Sequence, residues 1–100
     1  MSDDRQLKDL SGVGEAAILD LRILGVHSVA ELSLQDGAEL YDRLCRQTGK
    51  QHDICCLDVF CCAIAQARDP GLPREQKNWW YWSTLRKQQD GRRKLRMDHR

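Results

Sequence analysis

Apolar residues fall into short runs of helical spacing along this chain. Leu7 and Leu10 are three apart, and Ala17, Ile18, Leu21 and Leu24 follow on one helical face. Between the runs lies Leu10-Ser11-Gly12-Val13-Gly14, two glycines flanking one apolar residue. This predicts a tight turn joining a short helix over residues 3–10 to a second over residues 15–24. Ser2 is placed to cap the first helix, with Asp3 and Asp4 in its first turn. Gly25 suits the position just past the second, with Val26 folding back on Leu21.

Further on, Ser28 and Glu31 have capping-box spacing and open a one-turn connector ending near Leu32. A second box at Asp36-Gly37-Ala38-Glu39 starts a third helix that reaches about Gln47, with Leu40, Tyr41, Leu44 and Cys45 on one face and Gly49 stopping it. Asp53, with His52 beside it, is the expected cap of a fourth helix over residues 54–68. There the only strongly polar interior positions are Asp58 and Gln66, so this helix should be central and most buried. The pairing suggests a weak pseudo-duplication, since Thr48-Gly49-Lys50 reproduces one of the two hairpin glycines.

Asp69-Pro70-Gly71-Leu72-Pro73 turns the chain. Then Trp79-Trp80-Tyr81-Trp82 places Trp79 and Trp82 on one helical face with Leu85, where they would complete the core, while Trp80 and Tyr81 point elsewhere. After Arg86 apolar residues are sparse. The expectation is one all-α domain over residues 1–85, four main helices plus the connector with the Trp-rich segment outside, and a flexible basic tail over residues 86–100.

Charge divides the chain at that boundary. The net charge of the 100 residues is +1, yet residues 1–84 hold nine Lys/Arg against thirteen Asp/Glu, and residues 85–100 hold seven against two. An acidic fold followed by a basic tail shifts any attraction for nucleic acid to the tail, where Arg86, Lys87, Arg92, Arg93, Lys94, Arg96 and Arg100 could meet phosphates. There is no run of about 18 apolar residues to span a membrane. The acidic start Met1-Ser2-Asp3-Asp4 is unlike a secretory signal, so a soluble cytoplasmic location is expected.

Five cysteines, four of them as the doublets Cys55-Cys56 and Cys61-Cys62, do not form a secreted disulfide framework. Adjacent cysteines on a helix diverge by about 100°, so a doublet is a poor source of two ligands for one ion. A metal or redox site on Cys45, Cys55 and Cys56, with His52 nearby, therefore ranks third among the readings. No nucleophile elbow, phosphate-loop signature or distinctive carboxylate pair is present, and the expectation is a non-enzymatic protein without a cofactor.

With Leu10-Ser11-Gly12-Val13-Gly14 followed by Ala17 and Ile18, residues 7–32 resemble the helix-hairpin-helix motif, a sequence-independent binder of DNA backbone phosphates. The stretches Leu24-Gly25-Val26-His27-Ser28-Val29-Ala30-Glu31-Leu32, Glu39-Leu40-Tyr41-Asp42-Arg43-Leu44-Cys45, His52-Asp53, Leu57-Asp58-Val59-Phe60 and Trp79-Trp80-Tyr81-Trp82 extend the likeness. Together, over roughly residues 7–84, they resemble the bacterial pathogenicity-locus family, some members of which are labelled mitomycin-resistance proteins. The resemblance implies a compact helix-hairpin-helix (SAM-like) bundle. It also implies that Gly12, Val13 and Gly14 present backbone amides to a phosphate, with Val13 anchored in the core.

This chain departs from strong DNA-binding versions of the motif in one respect. They tend to carry Lys or Arg after the second glycine, where Glu15 stands here. Its repulsion of a phosphate at a partly exposed site costs about 1 kcal/mol, comparable to one amide hydrogen bond. The expected function is sequence-independent DNA binding through Gly12, Val13 and Gly14, aided by Lys87, Arg92, Arg93 and Lys94. The alternative is a protein-interaction module with a purely structural hairpin.

Overall fold

The structure, a computed structural model, describes the backbone of residues 5–98 and the side chains of residues 5–89. Five α-helices follow in order among them: α1 (Glu15–Ile23), α2 (Val29–Ser33), α3 (Gly37–Thr48), α4 (Cys55–Arg68) and α5 (Trp79–Asp98). Single 3-10 turns precede α1 at Leu7–Asp9 and α5 at Arg74–Lys77. The fold class is all-α.

Local chemistry accounts for most boundaries. Ser28 and Asp36 accept the N–H of Glu31 and Glu39 and cap α2 and α3. At the end of α1, Val26 N–H reaches Leu21 O at 2.8 Å and Gly25 N–H reaches Arg22 O at 3.0 Å, the paired bonds of a Schellman ending. Gly25 adopts φ +81°, a conformation that glycine enters at little cost. Arginines then satisfy helix-terminal carbonyls: Arg43 donates to Leu24 O, Arg68 to Ser33 O and Gln35 O, and Arg5 to Gln66 O and Ala67 O near the end of α4. Each places positive charge where a helix dipole is negative.

Helix α4 is the centre of the fold and packs against α2, α3 and α5. Phe60, Ala63, Ile64 and Ala67 of α4 join Leu40 and Leu44 of α3, Leu32 of α2 and Leu21 of α1 in one core. Leu32, Leu40 and Leu44 are fully buried, and burial of each contributes about 2 kcal/mol. Gly37 lets α3 approach α4 closely, since a Cβ there would sit 2.6 Å from Cys61 Sγ.

Three sequence expectations are revised. The expected first helix is only the turn Leu7–Asp9 among the described residues. Two apolar anchors, Leu7 and Leu10, hold it, and a helix so short gains little by propagation. Ser2, Asp3 and Asp4, read as its cap and first turn, lie outside the described residues. At α4, Asp53 acts one residue early: its carboxylate accepts the Cys55 N–H at 2.9 Å, while Ile54 occupies the cap position. His52 bonds not to α4 but to Thr48 Oγ1 of α3, 2.8 Å from its Nε2, and its carbonyl accepts the Tyr41 hydroxyl.

The third revision concerns the end of the chain. The sequence reading closes the folded unit at residue 85, but α5 crosses that boundary as helical backbone to Asp98, and Arg86 is bonded into the fold. The reason is that α5 docks through polar groups, which an apolar-periodicity argument does not count. Ser83 is buried, and Arg86 reaches Asp58. The aromatics divide differently as well. Tyr81 and Trp82 are half-buried and meet edge to face at 5.4 Å, with the Trp82 indole N–H on Gln76 O, while Trp79, Trp80 and Leu85 are exposed.

Candidate nucleic-acid interface

The hairpin is built by three contacts. Val13 is buried in the core beside Leu7 and Leu10. Its N–H closes a turn on Leu10 O at 3.3 Å. Gln66, buried within α4, then clamps the adjoining backbone from both sides: its Oε1 accepts the Ser11 N–H at 2.8 Å, and its Nε2 donates to Ser11 O at 2.9 Å. A buried amide with both ends satisfied fixes the loop without leaving a polar group unpaired.

The two glycines have different roles. Gly12 adopts φ +80°, where an L side chain is strained, so the turn itself demands glycine. Gly14 is extended, at φ −91° and ψ −175°, and a Cβ there would meet nothing within 4 Å. Folding does not demand glycine at this position. Gly14 is the cap residue of α1, and no side chain caps that helix. The leading N–H groups of α1 consequently face outward over a residue without bulk.

Charge around the hairpin is unfavourable to an anion. Glu15 is exposed in the first turn of α1. A neighbouring groove of about 270 Å³ is lined by Gly12, Gly14, Ala16, Ala17, Asp20, Cys55, Cys56, Val59 and Phe60, with no cation among them. The thiols there are held protonated. The hydrogen bond to Asp53, then burial, pushes Cys55 up, and burial followed by the Asp20 carboxylate does so for Cys56. Burial also raises Cys61 and Cys62. Among the described residues no group of three or more His, Cys, Asp or Glu could hold a metal ion, and no helix is long and apolar enough to cross a membrane.

The residues read from the sequence are thus only partly gathered. Gly12, Val13 and Gly14 form one turn. Lys87 is exposed on α5. The side chains of Arg92, Arg93 and Lys94 lie outside the described residues, although their backbone belongs to α5. Arg86, counted among the phosphate contacts, is committed to Asp58 at 2.9 and 3.1 Å. Sequence reasoning missed that pair and the Gln66 clamp. Their signal was present as the two polar positions inside an otherwise apolar α4, each of which needed a buried partner.

A small all-helical domain carrying a two-glycine turn at the head of an uncapped helix is the class that this fold defines. The pathogenicity-locus family matches residues 2–88, and the chain belongs to that family. It is similar to the mitomycin resistance protein McrB of Streptomyces lavendulae, 34% identical over 86 residues that cover 86% of this chain and 78% of that protein. No solved structure matches the chain.

Proposed function

We propose that this protein is a non-enzymatic, sequence-independent DNA-binding domain. Its turn at Gly12 to Gly14, with α1, acts as a helix-hairpin-helix-type phosphate contact, and Lys87, Arg92, Arg93 and Lys94 add positive charge. The observation that carries this reading is Gly14. It is a glycine that the backbone does not require, set before an uncapped helix, and its lack of a side chain is best used by a ligand approaching the amides. Glu15 weakens the contact and makes the basic residues of α5 necessary to it. Two duplexes of unrelated sequence, titrated at low salt, should bind with equal affinity. Failure of both to bind, or strong preference for one, overturns the reading.

A protein-interaction module is the second reading. It is favoured by Trp80, more than half exposed on α5 beside exposed Trp79. It predicts association with a protein partner that tolerates salt and is lost in Trp80→Ala.

A further inference from the structure

On the flank of α1 away from the thiol-lined groove lies a second hollow, of about 270 Å³, between the Leu7–Asp9 turn, α1 and the segment leading into α2. Its lining includes Arg5, Lys8, Arg22 and His27, with Leu7 and Ile18 as apolar wall. Three of the nine Lys/Arg in residues 1–84 therefore converge on one small concavity of an otherwise acidic fold. Among the described residues no carboxylate lines it. The nearby Glu31 is occupied in its capping box, where Oε1 accepts the His27 N–H at 3.1 Å and the Ser28 hydroxyl at 3.2 Å.

Three other cations of the fold have structural work. Arg43 and Arg68 are spent on helix-terminal carbonyls, and Arg46 pairs with Asp42 at 3.1 Å. Lys8, Arg22 and His27, by contrast, are exposed side chains gathered around one space, and Arg5 is fixed beside them by its bonds to Gln66 O and Ala67 O. Like charges repel in the absence of a counter-ion, so an anion is what this convergence favours. The volume lies below the usual range for drug-sized ligands and suits a phosphate with a small organic group.

We infer that this hollow is a binding site for a phosphate ester, with Lys8, Arg22 and His27 holding the phosphate and Leu7 and Ile18 meeting the organic part. The ester is either a phosphodiester of a nucleic-acid backbone or a free phosphate monoester. The inference does not depend on the hairpin contact.

The test is amide chemical-shift titration of the full chain with inorganic phosphate, with adenosine monophosphate and with a short DNA duplex, each beside sodium chloride at matched ionic strength. The expected result is saturable shifts at Lys8, Arg22 and His27 with phosphate and not with chloride, abolished in the double variant Lys8→Gln, Arg22→Gln and retained in Arg74→Gln. If the monoester saturates the site while DNA moves nothing, the source is a small metabolite and the DNA reading fails alone. If DNA also shifts these amides, the double variant should bind DNA with a salt slope shallower by about two. Shifts equal to those in chloride, or unchanged in the double variant, overturn the site, even where DNA still binds at the hairpin.

Discussion

Arg86 of α5 holds Asp58 of α4 in a two-point ion pair, Nε to Oδ1 at 2.9 Å and Nη2 to Oδ2 at 3.1 Å. The carboxylate is almost wholly buried, and Ser83 Oγ lies 3.5 Å from the same guanidinium. Removing Arg86 strands a buried carboxylate, and removing Asp58 takes away the contact that docks the guanidinium on α4. Asp58→Ala and Arg86→Ala should each lower unfolding free energy by about 3 kcal/mol. A double-mutant cycle in urea should show the two losses to be far from additive. Additive effects would mean that the pair does not dock α5.

Gln66 fastens the hairpin to α4 through Ser11. Gln66→Leu keeps bulk but leaves the Ser11 amide and carbonyl without their partner, which should cost about 2 kcal/mol. Hydrogen exchange should accelerate at Ser11 in this variant more than at Leu44, a buried residue of α3. Equal acceleration at both sites would show a global loss rather than a released loop.

Gly12 and Gly14 should separate stability from binding. Gly12→Ala puts a side chain at φ +80° and should cost about 1–2 kcal/mol. Gly14→Ser introduces a favoured cap residue into an extended conformation, so stability should hold or rise by a few tenths of a kcal/mol. Its hydroxyl would also occupy the amides left to a phosphate, so DNA affinity should fall several-fold. Unchanged affinity in a stable Gly14→Ser variant would make the hairpin structural only.

Acid should loosen the start of α4. The Cys55 N–H holds the Asp53 carboxyl below its ordinary value, so folding favours the ionised form. The stabilisation is complete above the unfolded value, about 3.9, and is lost as pH falls through the lower folded value. Between pH 5 and pH 2 the thermal midpoint of Asp53→Asn should therefore fall less than that of the parent chain. Parallel curves would exclude Asp53 from the acid response.

Apolar spacing made the core legible. Leu21, Leu24, Leu40, Leu44 and the α4 run are buried where the pattern placed them, and the Schellman ending at Gly25 and the caps at Ser28 and Asp36 formed as their residue types require. The polar seam was not legible. Arg86 looks like the start of a charged tail unless Asp58, 28 residues earlier, is known to face it. The cationic hollow escaped for the same reason, since Lys8, Arg22 and His27 share no motif and meet only in three dimensions. The seam also alters how the basic segment should be tested. Deletion from residue 86 would remove the partner of Asp58, so neutralisation at Lys87, Arg92, Arg93 and Lys94 is the cleaner change.

The most direct measurement is the salt dependence of duplex-DNA binding by the full chain, followed by fluorescence anisotropy. Log affinity should fall linearly with log salt, with a slope of about −4 to −5 that becomes shallower by about three to four when Lys87, Arg92, Arg93 and Lys94 are replaced by Gln. No binding at low salt, or affinity indifferent to salt, would contradict it.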